Sequence, residues 1–477
     1  MIRRHRTITA ALAAGALLIA ACGGDDDETT TTDAATETTA AATETTAAAT
    51  ETTEASTDTT EAATDTTAAP ETTEAAAEAW AVNTDDCIDP DAANAPIEGT
   101  IKIGSAMPLT GGVAAAAFAP VKDGFDAYIQ YANENGLVPG YDIQLTIEDD
   151  QYNPELTPGA ISKQIDAGVN LFSGIIGSPN NAAVRDTLND ECIPQLNALT
   201  GSPAWGEVAD YPWTTGILVP YTVESKVYAA QIAEQYPDGA SVALFYVNNE
   251  FGQIYADAFK EIAGDYNLDI VEEQTIEATD ANPPTSQITT IAAAKPDVIV
   301  AVPLGAGCIG FLTELANAKA QNAGWEPPTY VTNTCASSLI LGAAGAAADG
   351  LITSGNLVDL GDPANDSIPA VKEYKDFMAG LGKSDIVTTA GAGWTTGEVT
   401  VAILKQAAES PEGLTRASII NAARNFTFTP SLARPGVVDK MNGEEDPFLS
   451  QSLIVLQYDA DTATSSDVGE LITQFES

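Results

Sequence analysis

Histidine is almost absent: the one copy in 477 residues is His5, close to the start of the chain. Beyond that point no Ser-His or Cys-His nucleophile pair is available, and no imidazole can ligate a metal. Basic side chains are also scarce, with 19 Lys and Arg against 68 Asp and Glu, a formal net charge of −49. Such a surface repels nucleic acid and anionic lipid. An acidic surface adapted to salt explains this balance better than a dedicated cationic ligand. Neither a Walker-type phosphate loop nor a dinucleotide glycine fingerprint occurs. No enzyme, cofactor or metal site is expected.

The first residues point to export. Arg3, Arg4 and Arg6 form a basic segment, and Ile8 to Ala21 form an apolar stretch too short to span a membrane comfortably. It ends in Ile19-Ala20-Ala21-Cys22 before Gly23 and Gly24, a pattern matching the lipobox of bacterial lipoprotein signals. The expectation is a leader over 1–21, acylation of Cys22 and an extracytoplasmic protein held to the membrane by lipid alone. No later apolar run reaches spanning length.

Residues 22–80 are expected to be a tether. From Asp25 to Glu78 the chain is nearly all Thr, Ala, Glu and Asp, with acids at Glu37, Glu44, Glu51, Asp58 and Asp65 in a seven-residue period. That period lacks the large apolar residues a coiled coil needs, so it records duplication rather than packing. Without such residues the segment has no burial to offset its ordering entropy. As a flexible coil it would span on the order of 40 Å, more with repulsion among its carboxylates.

What remains is long enough for two cored domains. Short apolar strands alternate with amphipathic helices. Strands are expected at 101–104, 142–148, 171–176 and 193–199, with helices at 121–135, 157–167 and 181–189 between them. The rhythm restarts after Tyr221, with strands at 241–247, 268–273, 298–303 and 330–332 and helices at 224–235, 251–266, 284–294 and 308–319. This is the signature of parallel sheets covered on both faces. A third block, 350–424, carries a strand and helices at 368–381 and 395–409, and a final strand is expected at 448–458. Cys87, Cys192, Cys308 and Cys335 suit two disulfides in an exported protein, in any of three connectivities.

From Gly99 to Tyr458 the chain resembles the type 1 periplasmic binding proteins, in their branched-chain amino acid subgroup, as a leucine-binding-protein-like lipoprotein. The resemblance rests on the order and spacing of short motifs. These are Ile103-Gly104 with Pro108-Leu109-Thr110-Gly111, Asn133 with Gly136 and Gly140, Asp149-Asp150 before Pro154, Gly174 with Ser178, Ile193-Pro194, and Asn249-Glu250-Phe251-Gly252. It implies an α/β fold of two doubly wound parallel-sheet lobes joined by a multi-strand hinge. A lead-in over 81–98 would precede lobe one, 99–219 and 351–440, and lobe two, 220–350 and 441–477. Asp149-Asp150 then supports lobe one at a strand end. Cys308 and Cys335 would lie beyond the ends of neighbouring parallel strands, which favours their pairing and leaves Cys87 with Cys192.

The implied function is capture of a small polar solute (an amino acid, amide or carboxylate-like molecule) between the lobes of a monomer, for delivery to an ABC transporter permease. A ligand-sensing subunit signalling through a separate membrane partner is the alternative, and a surface adhesion protein on a Thr-rich stalk a more distant one. Ser178, at a strand-to-helix turn, matches the family's carboxylate-binding serine, where a hydroxyl and a helix start favour an anion; capping of its own helix is the competing role. Leu199, Thr200 and Gly201 match a second ligand loop, Phe118 an aromatic near the solute, and Phe251 an aromatic across the cleft. Two positions depart from the subgroup. Leu304 stands in place of an aromatic, and Asn333 or Thr334 in place of the carboxylate that receives the ligand's ammonium. A buried ammonium without an anion is costly, so either Glu250 or another acid substitutes, or the solute lacks an α-amino group.

Overall fold

The computed structural model describes residues 79–473. The expected leader, Cys22 and nearly all of the expected tether lie outside the described residues. Trp80, assigned above to the tether, belongs to the folded part. Its N–H donates to Asn425 Oδ1 (3.1 Å), and its carbonyl accepts from Asn425 Nδ2 (2.7 Å).

Five parallel strands make the first sheet: β1 (Thr100–Met107), β2 (Asp142–Asp149), β3 (Leu171–Ser173), β4 (Gln195–Ala198) and β5 (Thr214–Gly216). Their order is β2-β1-β3-β4-β5. The second sheet begins with β6 (Ala240–Val247), β7 (Leu268–Ile276), β8 (Val298–Val302), β9 (Thr329–Val331) and β10 (Ile352–Gly355). A separate antiparallel pair follows, β11 (Asn425–Phe428) with β12 (Asp439–Asn442). β13 (Leu453–Asp459) and β14 (Thr464–Ile472) then complete the second sheet, ordered β14-β13-β10-β9-β8-β6-β7. β13 runs antiparallel to both its neighbours.

The burial patterns explain these assignments. β8 reads Val-Ile-Val-Ala-Val with every residue buried, as a strand covered by helices on both faces must. β14 is half exposed and largely polar, suiting a sheet edge. Its weak apolar pattern gave no sequence signal, so the chain continues one strand beyond the expected terminal one.

The chain passes between the sheets three times. The first crossing lies between β5 and the helix Tyr221–Gln235, the second follows β10, and the third joins β12 to β13. The second falls later than expected at 350/351, because β10 pairs with β9 and β13 in the second sheet. The following segment returns to the first lobe, where the helix Val387–Ala408 packs on the helix Ala114–Asn135. Two glycines permit that approach. A Cβ on Gly393 would lie 1.8 Å from the Val121 carbonyl oxygen, and one on Gly124 would lie 1.8 Å from that of Ala390. Both helices start seven or eight residues before their expected first turns. Their leading turns are Ala-, Thr- and Gly-rich and carry little apolar periodicity.

Both expected disulfides are present, Cys87–Cys192 and Cys308–Cys335, with Cα separations of 5.5 and 6.0 Å. The first ties the lead-in to the loop after the helix Ser178–Asp190. The second joins the first turn of the helix Gly307–Gln321 to the loop after β9.

Candidate functional site

The carboxyl ends of the parallel strands in both sheets open onto one cavity of about 260 Å³. This is where open parallel sheets hold ligands. Ile176, Gly177 and Leu199 come from beyond β3 and β4, and Leu304 and Asn333 from beyond β8 and β9. Of the residues singled out in the sequence, Phe118, Leu199, Phe251, Leu304 and Asn333 line this cavity. Ser178, Thr200 and Gly201 do not. They sit behind it, sealed from it by Tyr221.

That seal is built from both lobes. Ser178 and Thr200, both fully buried, share a hydroxyl–hydroxyl bond of 2.6 Å. A Cβ on Gly201 would lie 2.6 Å from the Tyr221 ring, and the Tyr221 backbone N–H donates to the Gly201 carbonyl (2.8 Å). Burial, the largest influence, raises the pKa of Tyr221, so the group stays a neutral phenol. Its ring stacks on Tyr255 (centroids 4.4 Å apart) and meets Phe251 edge-on (5.3 Å). The competing role for Ser178 is not taken up either. Gly177 is the N-cap of that helix, and no side chain caps it.

The amine-binding position is equally altered. Glu250 does not line the cavity; it lies in the first turn of the helix Glu250–Ala263, where burial raises its pKa. A different acid, Glu224, lies behind Asn333. Glu224 Oε1 accepts from the Asn333 N–H (2.9 Å), from the Tyr228 hydroxyl (2.7 Å) and from the Ser354 hydroxyl. Its second oxygen is buried without a partner. Burial pushes this carboxyl up to about 7, against the opposing pull of those hydrogen bonds. Nothing in the sequence marked Glu224, since two of these partners, Asn333 and Ser354, lie more than a hundred positions away.

The lobes are shut. The Ala306 N–H of lobe two donates to the Val113 carbonyl of lobe one (2.9 Å), and the Ser337 and Thr389 hydroxyls bond across the gap (2.8 Å). Gly305 has φ +55°, and a Cβ there would fall 2.3 Å from the Val113 oxygen. A side chain at 305 would therefore hold the lobes apart. The cavity continues along the hinge, where Leu218 of the first crossing meets Leu357 and Leu360 of the second. These three residues were also missed, because single leucines in connecting segments carry no periodic signal.

Two doubly wound lobes closing on a cavity at their shared strand tips define a bilobal solute-binding protein. The chain belongs to the family of periplasmic binding proteins, whose sequence profile matches residues 100–463, and it has the type 1 fold of that family. The family and its structural neighbours are binding proteins, not enzymes. No curated protein matches the chain. Among solved structures, a branched-chain amino acid ABC transporter protein from Thermus thermophilus with bound valine superposes with a TM-score of 0.70. It is 18% identical, over 79% of this chain and 97% of its own. A fatty acid ABC transporter substrate-binding protein from Thermomonospora curvata gives 0.67 at 19% identity, over 80% and 96%. A solute-binding protein from R. palustris in complex with 4-hydroxybenzoate gives 0.63 at 17% identity, over 78% and 97%.

Proposed function

We propose that the chain is an extracytoplasmic receptor that encloses a small amino acid, amide or carboxylate-like solute between its lobes and delivers it to an ABC transporter permease. One observation carries this reading: residues from both lobes and from two hinge crossings wall a single cavity, while hydrogen bonds such as Ala306 to Val113 close it. Closure of that kind presents a permease with a surface that an open, unliganded form lacks. The ABC transporter proteins of similar fold support the assignment. Acylation at Cys22 would hold the receptor at the membrane, and residues 22–79 would let it range from there. Among the described residues no helix is long and apolar enough to cross a membrane.

A thermal-unfolding screen of amino acids, amides and organic acids tests the reading. A solute at about a hundred times its dissociation constant should stabilise the protein by about 2.7 kcal/mol. A protein that no small molecule stabilises, and whose lobes do not open and close in solution scattering, is not a transport receptor.

A further inference from the structure

We propose that the solute is an elongated, mainly apolar molecule with one polar end and no ammonium group, lying along the hinge rather than at the Ser178–Thr200 pole. This rests on the receptor reading above and narrows its substrate class.

Three features lead there. The hydroxyls that would receive the carboxylate of an amino acid are engaged within the protein: Ser178 and Thr200 are fully buried, do not line the cavity and bond each other (2.6 Å), and Thr200 Oγ1 also accepts the Ser202 N–H (3.2 Å). Among the described residues, no unengaged carboxylate lines the cavity to receive an ammonium. Asp359, the one acid among the described wall residues, takes the N–H groups of Gly361 (2.8 Å) and Ser465 (3.1 Å) on its two oxygens. Arg434, the one cation among them, is held by the Leu357 carbonyl (2.9 Å) and by Asp467. What remains is an aliphatic channel. Leu218, Leu304, Ile340, Leu357, Leu360 and Leu456 line it from the strand tips to the far side of the hinge. Leu456 belongs to β13, well away from Ser178 in the other lobe, so a short amino acid side chain would leave much of this surface unfilled.

The polar end has a place. Asn333 and Thr334 line the cavity beyond β9, and Thr334 Oγ1 is buried without a partner in the protein. A solute oxygen accepting from that hydroxyl would satisfy it, while the chain beyond gains by leaving water. By the family resemblance, Asn333 or Thr334 stands where an amino-acid receptor has a carboxylate, and either neutral group selects against a cationic group in the solute.

Titration calorimetry of the purified protein with butanoate, hexanoate, octanoate and decanoate, and with leucine and valine, tests this. Affinity should rise about fourfold per added methylene until the channel is filled, and leucine and valine should bind far more weakly than octanoate. Leu218→Gln and Leu357→Gln should each weaken decanoate by tenfold or more. Thr334→Val should weaken every alkanoate by a similar factor, with no dependence on chain length. Unfolding midpoints of the three variants separate lost binding from lost folding. Tighter binding of leucine than of any alkanoate overturns this inference and leaves the receptor standing. Failure of both sets to bind overturns this inference, and the wider solute screen then decides the receptor reading.

Discussion

The two walls of the cleft are made of opposite materials. On the lobe-one side, the hydroxyls of Ser178 and Thr200 pair with each other and are buried away from the cavity, behind Tyr221. Along the hinge, Leu218, Leu357 and Leu360 offer aliphatic surface and no hydrogen bond from their side chains. A polar group already paired inside the protein gains little from a ligand, whereas exposed apolar surface gains whenever a ligand displaces water from it. Recognition in this cleft should therefore be carried by the hinge wall. The polar pole works as internal scaffolding, next to the backbone bond from the Tyr221 N–H to the Gly201 carbonyl.

The sharpest way to break that contrast is to remove the ring that separates the walls. Tyr221→Ala should cost about 3–5 kcal/mol in denaturant unfolding, as for other buried aromatic truncations. The opened Ser178–Thr200 pole should then accept small carboxylates such as acetate, read as a rise in unfolding midpoint that the parent protein does not show. Tyr221→Phe keeps the ring and should cost only about 1 kcal/mol.

Glu224 sets the next scale. Its pKa is raised from 4.5 to about 7 by burial, and that of Asp439 from 3.8 to about 7 for the same first reason. At pH below the unfolded values both states hold these protons, and the folded state keeps its full stability. As the pH climbs toward 7, the unfolded chain has lost the protons while the folded chain still holds them. Stability therefore falls with rising pH across that window and levels above it. Glu224→Gln should remove up to about 3 kcal/mol of this dependence, seen as urea midpoints that differ less between mildly acidic and mildly alkaline buffer. An unchanged pH slope in this variant would mean that Glu224 is solvated.

The smallest expected effect belongs to Ser178. Ser178→Ala should cost about 1 kcal/mol of stability through its lost bond to Thr200, yet leave solute affinity within about twofold. A tenfold loss of affinity with little change in stability would place Ser178 in contact with the solute and reverse the contrast.

Much of the fold was legible because buried parallel strands spell themselves out. Val298–Val302 and Ser241–Val247 are near-continuous apolar runs, and helices such as Glu250–Ala263 show their apolar face at helical spacing. The exceptions share a cause. β5 is three residues long, β14 is an exposed edge, and the helix Arg416–Arg424 announces itself only through the Thr415–Ser418 capping box. None of them carries enough buried periodicity to stand out. At the strand tips the family resemblance pointed to Leu199, Phe251, Leu304 and Asn333, and these four line the cavity. The Tyr221 seal, Glu224 behind Asn333 and the leucines of the hinge depend on which distant segments meet after three crossings, and local pattern does not encode that. Ser178 stands at the expected strand-to-helix turn, but its hydroxyl pairs with that of Thr200 and does not line the cavity.

A crystal structure of the protein grown with decanoate puts the contrast to its most direct test. The account predicts the alkyl chain between Leu218, Leu304, Leu357 and Leu360, its carboxyl end at Asn333 and Thr334, and Ser178 still bonded to Thr200 behind Tyr221. A carboxylate resting on Ser178 and Thr200 with the Tyr221 ring swung away, or a cleft that takes up no decanoate, would contradict it.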